Sequence, residues 1–350
     1  MAQDATQSRE LVSSQAGLAA AVAVESGPEL GEGTAPVRAR SYWEQVWIRF
    51  RQDKVAVGSG LFILFLVLVA VFGGPIAARL LGHGPNDIFF SGVNDDLLPV
   101  GPWTHVQTPD GGTTLFVLGA DGTLGRDEFL RLLYGARVSL EVAMLSTLGV
   151  MTIGVTMGLV AGYFRGWIDA VISRVIEVTM AFPALLFIIA LAATIGQRLN
   201  NVTLGIFGQG VITLILVFTV FGWFYPARIV RASVISLREK EFVEAARMVG
   251  ATDFRIMRSH VLPHLVAPIV VLSTLIVASY ILAEAGLSFL GLGVKLPTSS
   301  WGVLLAAAPE FYTSVPWLML WPGLAVLFTT LAFNLLGDGL RDSFDPRAKA

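Results

Sequence analysis

The sequence predicts an all-α, polytopic membrane protein with about six transmembrane helices. Hydrophobic residues make up 54% of the 350 residues and charged residues only 14%, whereas a soluble domain carries about a quarter charged residues. Apolar runs of about 17 residues or more recur along the chain, and each is long enough for a helix that crosses the hydrocarbon core. The chain has no cysteine, which excludes disulfides, thiolate nucleophiles and cysteine-based metal sites.

Six apolar segments are predicted to span the membrane. The clearest, residues 55–78, holds 24 residues without a charge, enough helix to cross a hydrocarbon core of about 30 Å. The other five are residues 138–164, 175–196, 211–227, 261–289 and 317–336. An even number of spans places both termini on the same side of the membrane.

Lysine and arginine are distributed unevenly between the two sides of this predicted bundle. With the N-terminus inside, 18 of the 24 basic residues fall on the cytoplasmic side and six fall outside. Because basic residues are enriched in cytoplasmic loops, we expect the N-terminus and the C-terminus in the cytoplasm.

Two segments precede the first span. Residues 1–40 are rich in Ala, Gly, Ser and Glu and have no apolar run long enough to cross a membrane, which predicts a disordered cytoplasmic tail. In residues 41–54, aromatic side chains recur at helical spacing beside basic ones. This pattern predicts an amphipathic helix at the membrane interface that leads into the first span.

A long connection, residues 79–135, is predicted to lie outside. Gly, Pro, Asn and Asp recur through it, as is typical of loops and turns. Residues 113–118 are expected to pair in a short hairpin around Asp110-Gly111-Gly112. The chain from 136 to 341 is assigned to the core membrane domain, and residues 342–350 are assigned to a cytoplasmic tail.

The cytoplasmic segment between the fourth and fifth spans, residues 228–260, contains a helical pattern. Apolar residues at i, i+3, i+4 and i+7 predict one apolar face on a short helix, formed by Phe242, Ala245, Ala246 and Val249. Gly250 supplies a stop, and Thr252 or Asp253 can cap a second helix. Two interpretations are open here: a solvated helix lying on its own protein, or a helix-turn-helix projection received by a groove in a partner.

This segment resembles the EAA loop of the permease subunits of ATP-binding-cassette importers, through which ATPase subunits are engaged. The similarity rests on Glu244-Ala245-Ala246, on Gly250 after three intervening residues, and on Leu262-Pro263 after eleven more. The resemblance implies that ATPase coupling involves Phe242, Glu244, Ala245, Ala246, Val249, Gly250, Leu262 and Pro263.

Other runs are similar to the second permease subunit of dipeptide and oligopeptide importers. Together they cover roughly residues 118–347, and they include Gly125-Arg126-Asp127, residues 132–140, Ala161-Gly162-Tyr163-Phe164, Ala181-Phe182-Pro183, residues 282–293 and residues 334–342. Nickel and glutathione importers carry similar permeases, so the cargo stays open between peptides and these solutes.

The resemblance implies a type I importer permease fold in a prokaryotic inner or plasma membrane. Its expected partners are a homologous permease in a heterodimer, two cytoplasmic ATPase subunits, an extracytoplasmic peptide-binding protein and membrane lipid, with no nucleic acid. The chain has no Gly-x-x-x-x-Gly-Lys-Ser/Thr loop, the motif that cradles phosphates. We therefore expect no enzymatic activity and no cofactor in this chain, with ATP and Mg²⁺ bound by the partner subunits.

A secondary transporter or channel without an ATPase is the alternative class. It predicts inverted repeat halves and a cluster of ionisable residues inside the membrane. Neither is evident in the sequence.

Three carboxylates in or near the predicted spans are candidates for the translocation path or for helix packing: Glu141, Glu177 and Glu284. A carboxylate at the centre of a span costs about 2.5–3.5 kcal/mol on insertion scales, so these side chains should face protein or water. Pairing of Glu141 with Arg137, one helical turn away, is one structural alternative. The four histidines form no ligand cluster at short spacing, so no metal site is predicted.

Overall fold

The computed structural model describes residues 42–181, 183, 186–191, 194 and 208–345. The predicted N-terminal tail, part of the third predicted span and the last five residues therefore lie outside the described residues. The chain divides into two compact units, Met1–Gln45 and Val46–Ala350. The packing described below is that of the second unit.

Within the described residues, five helical segments are long and apolar enough to cross a membrane: Lys54–Leu81, Glu128–Phe164, Val211–Arg238, Asp253–Phe289 and Trp317–Phe344. Each of these segments contains one of the predicted spans. The remaining predicted span, residues 175–196, begins within a helix that ends at Ala181. It continues into a stretch that is described only in part.

The N-terminal helices meet at a capped break. Helix α1 (Tyr42–Gln52) occupies the predicted interfacial segment. Asp53 then starts α2 (Lys54–Leu81), because its carboxylate accepts hydrogen bonds of 2.9 and 3.0 Å from the amides two and three residues on. Helix α2 contains a π-helical turn at Val69–Gly73 and ends at Gly82, whose φ of +78° is left-handed.

The connection that follows α2 contains two short antiparallel strand pairs. Strands β1 (Thr104–Gln107) and β2 (Thr113–Phe116) form the predicted hairpin, which is confirmed. Strands β3 (Ala120–Asp121) and β4 (Arg126–Asp127) form the second pair. The second pair brings the chain directly to the start of the next helix.

This connection is shorter than predicted at both ends. Helix α2 continues to Leu81 and α3 (Glu128–Phe164) begins well before residue 136. The early start has a local cause, because the Asp127 carboxylate accepts hydrogen bonds from the Phe129 and Leu130 amides at 2.8 and 3.2 Å.

The remaining described helices follow in chain order. They are α4 (Gly166–Ala181), α5 (Val211–Gly222), α6 (Phe224–Arg238), α7 (Glu241–Met248), α8 (Asp253–Ile256), α9 (Val266–Phe289), α10 (Trp301–Ala307) and α11 (Trp317–Phe344). The last helix continues beyond residue 341, so the predicted C-terminal tail begins later than expected.

Helix α3 lies at the centre of the bundle. It packs against α5, α6 and α9, while α9 packs on α11 and α11 packs on α2. A shared apolar cluster joins these helices and includes Leu140, Ile281, Trp301 and Phe333. The Trp301 indole also donates a 3.2 Å hydrogen bond to the Leu132 carbonyl, which fixes α10 against α3.

The contact between α3 and α6 depends on glycines spaced by four residues. Gly154, Gly158 and Gly162 lie on one face of α3 against α6, the small-residue spacing that lets membrane helices approach closely. A Cβ atom at Gly158 would lie 2.6 Å from the Ala227 carbonyl oxygen and 2.8 Å from the Val230 Cβ atom. Helix α6 leads from this contact into the segment that resembles the EAA loop.

Candidate functional site

The segment that resembles the EAA loop forms two short helices around a glycine turn, and we call residues 239–265 the knuckle. Helix α7 ends at Gly250, whose φ is +84°. The Gly250 amide donates to the Arg247 carbonyl at 2.9 Å, and the Ala251 amide donates to the Ala246 carbonyl at 3.0 Å. This pair of bonds is a Schellman motif, which explains the glycine at this position.

A second cap and a change of helix type follow the turn. The Thr252 hydroxyl accepts a 3.4 Å hydrogen bond from the Arg255 amide and starts α8. A π-helical turn, Met257–Val261, and a 3-10 turn, Leu262–Leu265, then lead into α9. Leu262 and Pro263, two of the predicted coupling residues, therefore lie at the entrance to a membrane helix and not on α7 or α8.

The inner face of α7 differs from the predicted one. Val243 is fully buried, and Phe242 and Ala246 are half-buried beside it, all against a cluster that includes Val234 and Ile256. The sequence analysis missed Val243. The interpretation of α7 as a helix that lies on its own protein is therefore right for this face.

The outer face of the knuckle, which is turned away from the bundle, carries three large apolar side chains. Val249 is 88% exposed, Met248 is 84% exposed, and Phe254 beyond the turn is 68% exposed. Glu244 and Ala245 are also exposed. The single apolar face predicted for α7 is thus divided, with Phe242 and Ala246 turned toward the bundle and Val249 turned away from it.

The knuckle is fixed to the C-terminal end of α3 by polar contacts. The Tyr163 hydroxyl donates a 2.6 Å hydrogen bond to the Asp253 carboxylate, and the Arg247 guanidinium lies 5.6 Å from the centre of the Tyr163 ring. Arg238 donates to the Tyr163 carbonyl, and Arg165 pairs with Glu239. The sequence analysis assigned none of these roles, although Tyr163 lies in one of the runs that carry the resemblance.

A further ion pair joins α4 to α6 on the same side of the bundle. Arg231 donates two hydrogen bonds to the Asp169 carboxylate, at 2.5 and 2.7 Å. These hydrogen bonds hold the pKa of Asp169 below its ordinary value, against a smaller opposing effect of burial. Helix α6, and with it the start of the knuckle, is therefore fastened to both α3 and α4.

Glu284 is fully buried near the C-terminal end of α9. Its carboxylate accepts hydrogen bonds from the Ser139 hydroxyl at 2.7 Å and from the Ser288 hydroxyl at 2.8 Å. Those hydroxyls in turn accept hydrogen bonds from the Trp301 and Val294 amides. Of the two roles predicted for Glu284, this geometry favours helix packing, because the carboxylate joins α3, α9 and α10.

The other two candidate carboxylates are more accessible. Glu177 lies on α4 and pairs with Arg174 at 2.9 Å, with 63% of its side chain exposed. Glu141 is half-buried on α3 and lines a cavity of about 390 Å³ together with Arg137 and Ser299. The structure does not bring Glu141, Glu177 and Glu284 together.

A buried charged cluster at strands β3 and β4 was not predicted from the sequence. The Asp121 carboxylate lies 2.9 Å from an Arg126 nitrogen and 2.5 Å from an Arg131 nitrogen. Arg131 also donates to the Asn86 side chain at 3.0 Å. Such buried pairs require satisfied partners, so the cluster ties the outer segment to the start of α3.

An apolar groove runs along α3 and α9. It has a volume of about 640 Å³ and includes Met144, Leu148, Met151, Ile269 and Val277. Leu148 is 64% exposed in it. Most of the side chains that line this groove are apolar.

Two family models match the chain. Residues 154–350 match the binding-protein-dependent transport system inner membrane component. Residues 41–99 match the N-terminal transmembrane domain of oligopeptide transport permease C. The chain belongs to the family of binding-protein-dependent transport permeases. Its multi-pass bundle is that of an inner membrane component of an ATP-binding-cassette importer.

Full-length relatives agree with this family membership. The chain is 36% identical to the dipeptide transport system permease protein DppC of Alkalihalophilus pseudofirmus, over 89% of this chain and 91% of the relative. It is 37% identical to the glutathione transport system permease protein GsiD of Pectobacterium atrosepticum, over 89% of this chain and 93% of the relative.

A solved structure shows the same fold. One chain of the MetNI methionine ABC transporter, from a crystal structure of its inward-facing conformations, aligns with this permease at a TM-score of 0.50 and 17% sequence identity. The alignment covers 62% of this permease and 97% of the MetNI chain. The type I importer permease fold expected from the sequence is confirmed. The knuckle is thus part of a permease of this class.

Proposed function

We propose that this permease forms half of the translocation path of an importer for di- and oligopeptides, in a heterodimer with a homologous permease. The observation that carries the proposal is the 36% identity to a dipeptide transport permease over 89% of the chain. Two cytoplasmic ATPases, which bind ATP and Mg²⁺, and an extracytoplasmic peptide-binding protein complete the proposed assembly.

The proposed orientation places the knuckle in the cytoplasm with both termini. Its support is the distribution of basic residues, of which 18 of 24 fall on that side. The strand pairs and the buried charged cluster then lie outside, where the peptide-binding protein docks in this proposal.

The proposed coupling site is the outer face of the knuckle. The proposal is supported by three large apolar side chains, Met248, Val249 and Phe254, which are all more than half exposed on a segment outside the predicted spans. An apolar surface that is exposed there is typical of a contact with another protein. Glu244 and Ala245 lie on the same short helix and are also exposed. Phe242, Ala246 and Val243 hold the knuckle on the bundle from the opposite face, while the Gly250 turn sets its direction.

The proposed mechanism is alternating access. Closure of the ATPase dimer on ATP moves the two permeases' knuckles together and favours the outward-open bundle by differential binding to the two states. Because α6 enters the knuckle directly and is fastened to α3 and α4, a displacement of the knuckle moves these helices together. The apolar groove along α3 and α9 is the proposed contact with the second permease and the path between them.

Glutathione is the second candidate solute, and one specific observation favours it. Identity to the glutathione permease of Pectobacterium atrosepticum is 37%, against 36% to the dipeptide permease. Both solutes carry a peptide bond and free carboxylates, so one path can serve either, and the peptide-binding protein sets the choice.

The proposal is tested by uptake into proteoliposomes that contain this chain, the homologous permease, the two ATPases and the peptide-binding protein. Labelled dipeptide is expected to accumulate only with ATP and with all components. Glutathione uptake in place of dipeptide uptake would select the second candidate. Equal uptake without the ATPases would contradict an ATP-driven importer and support a secondary transporter or channel.

Variants at position 249 test the coupling site. Val249→Asp puts a charge into the proposed contact. A loss of about 3 kcal/mol of binding free energy there weakens association more than a hundredfold. Val249→Thr is the matched control, because it keeps the shape of the side chain without a charge. Co-purification of a tagged ATPase is expected to fail with the first variant and to persist with the second. Equal co-purification would place the contact elsewhere.

A further inference from the structure

A small cavity separates α4 from α6 at the knuckle end of the bundle. It has a volume of about 260 Å³ and is lined by Ser173, Ile176, Glu177, Met180, Arg228 and Arg231. The space is large enough for a phosphate group and too small for a peptide. None of the residues that line it belongs to the coupling site proposed above.

The charges around this cavity do not balance. Arg231 is held by Asp169, and Glu177 is paired with Arg174. The Arg228 guanidinium is exposed, and among the described residues its hydrogen-bond partner is the Met180 sulfur at 3.5 Å, a weak acceptor. One guanidinium with most of its donors unused therefore faces the cavity, which favours an anionic ligand with several acceptor oxygens.

The depth of Arg228 indicates where that ligand comes from. Arg228 follows Val211, the outer start of α5, by 17 residues, or about 26 Å along a helix, close to the thickness of a hydrocarbon core. Tyr225, one turn earlier, is 55% exposed, and Trp167 at the start of α4 is 75% exposed. Exposed Tyr and Trp residues mark the headgroup level of a bilayer.

We propose that this cavity binds the phosphate group of an anionic phospholipid, with Arg228 as the main donor and the acyl chains along α4 and α6. Basic pockets between membrane helices bind anionic headgroups in this way. On the proposed orientation the lipid belongs to the cytoplasmic leaflet. The lipid then stabilises the contact of α4 with α6, the helix that enters the knuckle.

Short-chain lipids provide a direct test that does not depend on transport. The full-length chain, purified in detergent, is titrated with dihexanoyl phosphatidylglycerol, dihexanoyl phosphatidylcholine or inorganic phosphate, and the shift in thermal unfolding gives each Kd. Arg228→Gln is expected to weaken binding of phosphatidylglycerol about fivefold, the effect of one basic residue at a membrane surface. Arg228→Lys, which keeps the charge but loses the planar fork, should give an intermediate Kd.

Arg258→Gln is the matched control, because Arg258 is an exposed arginine of the knuckle outside the cavity. Its Kd for phosphatidylglycerol should equal that of the unchanged chain. Equal weakening in the two Gln variants, or no weakening in either, would overturn the site. Arg228-dependent binding of inorganic phosphate as tight as that of phosphatidylglycerol would overturn the lipid as its source. Because unfolding and not uptake is measured, failure here leaves the proposed transport function unaffected.

Discussion

A methyl group at Gly158 is predicted to disrupt the contact between α3 and α6. The added Cβ atom would lie 2.6 Å from the Ala227 carbonyl oxygen and 2.8 Å from the Val230 Cβ atom. A backbone oxygen and a branched side chain cannot rotate away, so α6 must shift by several tenths of an ångström. Overpacking of this kind costs about 1–3 kcal/mol, which corresponds to a fivefold to more than a hundredfold change in the folding equilibrium at about 1.4 kcal/mol per tenfold.

The measurement is the free energy of unfolding of Gly158→Ala in bicelles, which is obtained from a denaturant titration. Gly58→Ala is the matched control, because Gly58 is exposed on α2 and a Cβ atom there would meet nothing within 4 Å. The control should be unchanged, or more stable by up to about 1 kcal/mol from helix propensity. Equal stability of the two variants would refute close glycine packing as the basis of the α3–α6 contact.

Three further predictions follow from the same structure. Glu284→Ala leaves two buried serine hydroxyls without their acceptor and should lower the free energy of unfolding by about 2 kcal/mol. Glu284→Gln should lower it by less. A raised KM for uptake with unchanged stability would instead assign Glu284 to the translocation path. The pKa of Asp169 is lowered by hydrogen bonds from Arg231, so the stabilisation from this pair is complete above the ordinary Asp pKa and is lost as pH falls through the lowered value. Asp169→Asn should therefore remove part of the acid-side loss of stability, and an unchanged pH profile would contradict this role. In intact cells, a cysteine at exposed position 110 should react with an impermeant maleimide and one at exposed position 255 should not; the reverse pattern would invert the proposed orientation.

Hydropathy was sufficient to locate the spans that the structure describes. The run at residues 55–78 has no charge, and the corresponding helix extends only a few residues beyond it. The start of α3 was predicted ten residues too late, because its first turns carry Glu128 and Arg131, which read as loop residues. Both side chains are buried, and Arg131 forms an ion pair with Asp121; a tertiary ion pair of this kind leaves no periodic signal.

The knuckle shows the limit of periodicity at the candidate site. The turn at Gly250 was predictable, because a left-handed C-cap favours glycine. The spacing of Phe242, Ala246 and Val249 marks them as one helical face, but it does not distinguish a face packed on the bundle from one left exposed. In the structure, Val243 is the residue of α7 that is buried in the apolar cluster and contacts the bundle. Contacts of Tyr163 with Asp253 join residues far apart in sequence, which periodicity within a segment cannot reveal.

The coupling of the knuckle to an ATPase is tested most directly by cross-linking from position 249. The chain has no cysteine, so Val249→Cys can be labelled uniquely with a benzophenone maleimide in membranes that contain the assembled importer. Illumination is expected to attach the chain to the ATPase subunit, whereas a cysteine at position 110 in the outer segment should give no such product. If the ATPase co-purifies with the labelled chain but no cross-link forms from position 249, the knuckle is not the attachment site of the ATPase.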